Sequence, residues 1–313
     1  MSTEQLETIL PPDREGTVDF DGSKTWYRIT GDLDSPLVPL VVMHGGPGCT
    51  HDYLLRLTAL SRTGRPVIHY DQIGNGKSTH LPDADPGYWT PELFVAELEN
   101  LLTQLGISAA YHLLGQSWGG MLGAEFAVRR PAGLQRLVIA DSPASMQLWG
   151  VAAASLRAEL PAGVDDTLRK HEEAETTDSA EYLHAMQVFY DRHVCRVIPN
   201  PPEVAATFAA MEADSTVYHT MNGPSEFHVV GSLKPWTVID RLPQIAVPTL
   251  LLSGRYDEAT PVSVQPFFDL IPDVRWRIFA DSSHMPHVEE TERFMTVVQA
   301  FLDGAEPDGA NPA

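Results

Sequence analysis

Short runs in which nearly every position is apolar recur at 37–43, 67–70, 111–114, 134–140, 249–253 and 275–279. A strand with one solvated face alternates apolar and polar positions, whereas a strand covered on both faces does not. These runs are therefore expected to be central strands of a sheet covered by helices. Between them apolar residues return with helical spacing: over 91–105, Phe94, Leu98, Leu101, Leu102 and Leu105 fall on one side, and 118–130, 262–270 and 289–302 behave alike. Thr90 before Pro91 reads as an N-cap followed by the first helical position, and Gly106 as a stop. Strands alternating with helices predict an α/β fold, a mostly parallel sheet with helices on both faces and right-handed crossovers. Upstream, 17–20 and 24–30 flank Asp21-Gly22, which predicts an antiparallel hairpin at the sheet edge.

The alternation stops after Asp141-Ser142-Pro143. From 144 to 235 the chain carries Ala- and Glu-rich helical stretches, such as 151–160 and 204–213, broken by prolines. The expected organisation is a first core part at 1–143, a helical insertion at 144–235, a second core part at 236–303, and a disordered tail at 304–313.

Composition narrows the partners. The chain has 313 residues, with 42 acidic against 21 basic and a formal net charge of −21. Backbone phosphates and anionic lipid need basic surface, so neither nucleic acid nor membrane is expected as a partner. Most of the acidity reads as solvated surface, including an acid-rich stretch between Arg157 and Tyr182. Cys49 and Cys195 are too far apart for a Cys-x-x-Cys site. No basic leader followed by an apolar segment opens the chain, and no aliphatic run approaches the ~20 residues that span a bilayer. A cytoplasmic location is the resulting expectation.

The chemistry concentrates in turns after strands. Gly115-Gln116-Ser117-Trp118-Gly119 follows one predicted strand and opens a predicted helix, the setting in which G-x-S-x-G places a serine on a sharp turn as nucleophile. A serine nucleophile needs a base and a carboxylate to orient it. Asp257 and His284 follow two later strands, in the order this arrangement requires and at the same sheet edge. His287 competes as the base, but Pro286 and Glu289-Glu290 mark a helix start there, so a structural role is expected. Asp281, His284 and His287 could also be read as metal ligands; further closely spaced ligands are missing, and no metal or cofactor is expected. His44-Gly45-Gly46-Pro47-Gly48 directly follows the first core strand, and its glycines allow backbone N–H groups to approach an oxyanion. The donors expected are the N–H groups of Gly46 and Trp118.

Four segments together, His44 to Gly48, Asp71-Gln72-Ile73-Gly74-Asn75-Gly76-Lys77-Ser78, Gly115 to Gly120 and Met221-Asn222-Gly223-Pro224-Ser225-Glu226-Phe227, resemble the proline iminopeptidase family of α/β-hydrolases. The similarity runs over nearly the whole chain. It implies the α/β-hydrolase fold with the insertion as a helical cap, and removal of an N-terminal residue from a peptide, amide or arylamide through an acyl-enzyme. It also implies that Glu226 and Glu258 hold the substrate's free amino group, with Gly45 among the substrate-binding positions. An amino-acid amidase or ester hydrolase on the same scaffold is the nearest alternative. A hydrolase-like binding protein without turnover is the more distant one. Oligomeric state is left open.

Overall fold

The computed structural model describes residues 8–307. The chain runs through β1 (Arg14–Phe20), β2 (Ser23–Thr30), β3 (Leu40–Met43), β4 (Val67–Asp71), α1 (Pro91–Gln104), β5 (Tyr111–Gln116), α2 (Trp118–Ala127) and β6 (Leu134–Ala140). Five helices follow without a strand: α3 (Met146–Ala158), α4 (Val164–Glu173), α5 (Ala180–His193), α6 (Pro202–Ala213) and α7 (Thr216–Met221). The sheet resumes with β7 (Thr249–Gly254), α8 (Pro261–Leu270), β8 (Val274–Phe279), α9 (Pro286–Glu289) and α10 (Thr291–Leu302). All eight strands form one sheet in the order β1-β2-β4-β3-β5-β6-β7-β8. The β1–β2 hairpin is antiparallel, β2 pairs antiparallel with β4, and every later pairing is parallel.

The unbroken apolar runs have the expected cause. Val41, Met43, Leu113, Leu137 and Leu251 pack on one face with Phe94 and Leu98 of α1, Leu122 of α2 and Phe267 of α8. Their neighbours Leu40, Val42, Leu114, Val138 and Leu250 pack on the other with Phe294, Val298 and Phe301 of α10. Period-two geometry thus sends successive residues of the central strands into two separate cores. The run at 37–43 pairs only from Leu40 because Pro39 offers a carbonyl to His112 N–H but has no N–H of its own. A 3-10 stretch at Asp52–Thr63, absent from the sequence reading, covers the second face with Leu54, Leu57 and Leu60.

The insertion has its own small core of Ala153, Leu168, Tyr182, Ala185, Phe189 and Phe227. Part of the acid-rich stretch is not solvated surface. Arg157 is buried, reaches Asp165 and bonds Glu172 at 2.8 Å, and stacks on Phe227 at 5.1 Å, tying α3 to α4. Residues 304–307, assigned to a tail by composition, are held against β8: Glu306 pairs with Arg275 and Arg277, and Pro307 is buried with its carbonyl 2.9 Å from Arg277. The rest of that stretch lies outside the described residues. Among the described residues no helix is long and apolar enough to cross a membrane.

One buried acid couples the sheet to the loop after β4. Glu97 on α1 is fully buried; its Oε1 accepts from Thr25 Oγ1 and from Ile73 N–H at 2.8 Å, and its Oε2 has no partner. Burial pushes its pKa up to about 8. The folded protein therefore holds this proton more tightly than the unfolded chain. The contribution to stability is intact below the ordinary carboxylate range and is lost as pH rises toward 8. Glu97→Gln keeps an acceptor and removes the titration. Its unfolding free energy, measured in urea across pH, is expected to decline less than wild type between pH 5 and 8, by about 2 to 4 kcal/mol. Parallel curves for the two proteins would refute this.

Candidate active site

Ser117 sits between the last residue of β5 and the first of α2 with φ 56 and ψ −124. A non-glycine residue adopts that backbone at a cost of about 1–3 kcal/mol, and the surroundings enforce it. A Cβ on Gly115 would lie 2.0 Å from Gly119 O, and one on Gly119 would lie 2.1 Å from Met43 O. Only glycines let α2 cross this closely over β5 and β3. Ser117 N–H donates to Ala140 O at 2.9 Å, and its carbonyl accepts from Ser142 Oγ at 2.8 Å. The turn is thereby locked from β6, and the serine faces a cavity.

Asp257 and His284 leave the ends of β7 and β8. His284 Nδ1 donates to Asp257 Oδ1 at 2.7 Å, and the same oxygen accepts from Ala259 N–H at 2.8 Å. The histidine backbone is held on both sides: its N–H donates to His193 O on α5 at 3.2 Å, and its carbonyl accepts from Gln116 Nε2 at 2.9 Å. The ring also stands edge-on to Trp149, with centroids 6.1 Å apart. His287 is oriented elsewhere. It is buried on α9, bonds Tyr53 O through Nε2 at 3.1 Å, and desolvation lowers its pKa to about 3. With His287 turned to a carbonyl and His284 to Asp257, the two do not converge with Asp281. Among the described residues no three His, Cys, Asp or Glu side chains gather as a metal site.

The loop after β3 is bound to the nucleophile turn by a chain of buried polar contacts. Gly45 N–H donates to Tyr53 Oη at 2.8 Å, Tyr53 Oη donates to Gln116 Oε1, and Gln116 carries the contact on to His284. A second chain starts at Trp118, whose Nε1 donates to Gln72 Oε1 at 2.8 Å. Gln72 donates its backbone N–H to His44 Nε2 and its side-chain amide to His44 O, both at 2.9 Å. His44 Nδ1 lies 3.0 Å from Gly45 O, so the ring is neutral with its proton on Nδ1; burial favours that form. Gly46 has φ 107, where a Cβ would come within 2.3 Å of Gly48 N. The N–H of Trp118 is the first of α2 and has no acceptor within its helix. Gly45, expected at a substrate-binding position, spends its N–H on Tyr53 and its carbonyl on His44 and Cys49. Its contribution is steric: a Cβ there would meet Ser117 Cβ at 2.9 Å.

Two carboxyl groups lie at the site, close enough to act on each other. Glu258, next to Asp257, is buried with no partner for either side-chain oxygen, and its Oε1 lies 3.7 Å from His284 Nε2. Burial, reinforced by the charges of Glu226 and Asp257, pushes its pKa well above the usual carboxylate range. Glu226 comes from the 221–227 segment over the sheet edge. Its Oε1 accepts from Tyr218 Oη at 2.8 Å and its carbonyl from Trp149 Nε1 at 2.6 Å. Burial raises its pKa too, partly offset by the Tyr218 bond. A small cavity in front of Ser117 is lined by Gly46, Ser117, Trp149 and Glu226 with apolar walls from Met146 and Leu233.

Tyr53, Gln72, Gln116, Trp149 and Tyr218 escaped the sequence reading as site residues. Gln116 and Gln72 lay inside segments already singled out, as the variable position of G-x-S and the residue after Asp71. Tyr53, Trp149 and Tyr218 sit in helical stretches whose side-chain directions depend on packing, and nothing in their spacing marks them.

The chain matches the family model described as alpha/beta hydrolase fold over residues 38–291. It is 35% identical to a proline iminopeptidase of Heyndrickxia coagulans over 289 residues, 92% of this chain and 98% of that protein. The crystal structure of the proline iminopeptidase of Mycobacterium smegmatis superposes with a TM-score of 0.87 at 54% identity, covering 93% of this chain and 98% of that one. That of VinJ superposes with a TM-score of 0.93 at 58% identity, covering 94% and 99%.

Tyr53→Phe removes one hydroxyl that serves both Gly45 and Gln116. Leaving those buried groups unpaired is expected to cost about 1–3 kcal/mol in urea unfolding and to slow hydrolysis of an aryl ester roughly tenfold. Wild-type values for both would show that the chain of contacts does not hold the site.

Proposed function

This chain belongs to the proline iminopeptidase family of α/β-hydrolases, and from that premise we propose that it removes an N-terminal proline, or a comparably small apolar residue, from peptides through an acyl-enzyme. The observation that carries the reading is the orphaned Glu258 carboxyl group beside His284, with Glu226 close enough to act on it and lining the cavity in front of Ser117. A buried carboxyl group without a donor is costly, and a substrate ammonium relieves that cost by ionising it and pairing with it. Neutral amides lack this group. An N-terminal amine supplies it two bonds from the carbonyl carbon, so an amine fixed by Glu226 and Glu258 brings that carbon to Ser117.

In this mechanism Ser117 Oγ attacks the carbonyl carbon of the first residue while His284 Nε2 takes its proton. Asp257 holds the Nδ1 proton and stabilises the imidazolium that forms. The N–H groups of Gly46 and Trp118 receive the oxyanion. The tetrahedral intermediate collapses, the C–N bond breaks, and His284 returns the proton to the leaving amine. Water, deprotonated by His284, then adds to the ester carbonyl; loss of Ser117 Oγ, reprotonated by His284, frees the amino acid. Met146, Trp149 and Leu233 give the first residue an apolar wall. Trp149, Tyr218 and Tyr190 hold Glu226 through its carbonyl, its carboxyl group and its N–H, which fixes the proposed amine anchor.

A prolyl arylamide and its N-acetyl twin distinguish this reading from a generic esterase or amidase. The free amine is expected to be preferred by on the order of 10² or more in kcat/KM, with most of the preference lost in Glu258→Gln. Ser117→Ala is expected to lower kcat by on the order of 10⁴ or more while the protein still unfolds at the wild-type denaturant midpoint. Equal rates for the two substrates would refute the amine anchor, and an active Ser117→Ala would refute the nucleophile.

A further inference from the structure

A fourth carboxyl group stands behind the proposed triad, and the mechanism above does not use it. Asp141 is the first residue after β6, fully buried, with φ 52. Its backbone N–H donates to Leu252 O at 2.8 Å and its Oδ1 accepts from Gly254 N–H at 3.2 Å, so the side chain is fixed to β7 just ahead of the Asp257 loop. Gly254 joins the two acids, donating its N–H to Asp141 and accepting from Asp257 N–H at 3.3 Å, and the two carboxyl groups lie close enough to interact. Asp141 Oδ2 and Asp257 Oδ2 are both buried, and neither meets a donor from any other residue. Two carboxylates cannot bond each other, because both only accept. One proton between them satisfies both oxygens and removes the repulsion of two buried like charges.

We propose that Asp141 is held as the neutral carboxylic acid, donates its proton to Asp257, and so acts as a positioning residue for the Asp257–His284 pair. The proton resides on Asp141 because Asp257 already has two donors for its negative charge, His284 Nδ1–H and Ala259 N–H, while Asp141 has one long bond from Gly254. Burial and the neighbouring Asp257 both favour the protonated form of Asp141. The result is a carboxylate fixed on three sides: one donor orients the imidazole, one comes from its own loop, and one comes from β6. Asp141 also ties Asp257 to the strand whose Ala140 carbonyl binds Ser117 N–H, so the nucleophile and the acid share a support.

The role in turnover rests on the reading of Asp257 as the acid of the triad, whereas the shared proton does not. The groups facing His284 are Asp257 and Glu258 from the loop after β7, Glu226 from the segment above, and His287 of α9. Those facing Asp141 are Asp257, Glu289 and Tyr53. Asp141→Asn keeps a donor toward Asp257 without a charge, and Asp141→Ala removes it. The infrared difference spectrum of wild type minus Asp141→Asn at pH 7 is expected to show the C=O stretch of one protonated carboxyl group. No such band would overturn the shared proton, whatever the enzyme turns over. In the kcat/KM profile of a prolyl arylamide, Asp141→Asn is expected to keep the acid limb at its wild-type position and kcat within about threefold, while Asp141→Ala lowers kcat roughly tenfold and moves the limb to higher pH. An acid limb displaced to lower pH by about one unit in Asp141→Asn would mean that a negative charge had been removed, and would overturn the neutral form. If Asp141→Ala does not fold, the band and the Asp141→Asn profile decide. Failure of the triad reading has a separate signature, full activity in Asp257→Asn with the band still present in wild type.

Discussion

The site is organised around a carboxyl group with nothing to bind. Glu258 is buried beside His284 with neither oxygen hydrogen-bonded, and Glu226, which acts on it through its charge, has one tyrosine hydroxyl. Net charge speaks to solubility and association, and the −21 of the whole chain says little about these two. Their burial does. Burial raises the pKa of both, so ionising them without a partner is costly; paired with a cation they become a strong and directional anchor. The free enzyme thus carries a local cost that a substrate amine relieves, and chemistry two bonds away draws on that binding.

Such an anchor is useful only if the reacting groups hold still relative to it, and the polar framework supplies this. Tyr53 and Gln116 connect the loop after β3 to the nucleophile turn and to the His284 carbonyl; Gln72 connects His44 to the Trp118 side chain. The glycines at 115 and 119 remove the side chains that would force β5, β3 and α2 apart. Cap and core meet at the same place. His193, the last residue of α5, accepts from His284 N–H and bonds Tyr256 O at 2.9 Å, so a helix of the insertion helps to hold His284. Asp141 continues the pattern from the sheet side.

How far the sequence reveals this depends on whether a feature is local. Strands 134–140 and 249–253 were legible because burial on both faces leaves 137–140 and 250–252 apolar without a break, and α1 because Thr90, Pro91 and Gly106 mark its ends. That Ser117, Asp257 and His284 each follow a strand of their own was legible from the order of the apolar runs and motifs. Helices α4 and α5 were not, since their buried positions face a core made within the insertion. The role of Tyr53 depends on where a 3-10 stretch turns its side chain, and that of Asp141 on two loops meeting after β6 and β7. Arg157 looked like part of a charged surface stretch, yet it is the buried link between α3 and α4. Gly45 had the composition of a ligand-contacting loop, but its polar groups serve the framework.

The central claim is that Glu226 and Glu258 receive a substrate ammonium, and proton release on binding measures it directly. Prolinamide can be titrated calorimetrically into Ser117→Ala protein near pH 7 in buffers that differ in protonation enthalpy. The account requires protons to be released into the buffer as Glu258 ionises against the incoming ammonium, with N-acetylprolinamide binding far more weakly. Binding of both compounds with equal affinity and no dependence on the buffer would contradict it.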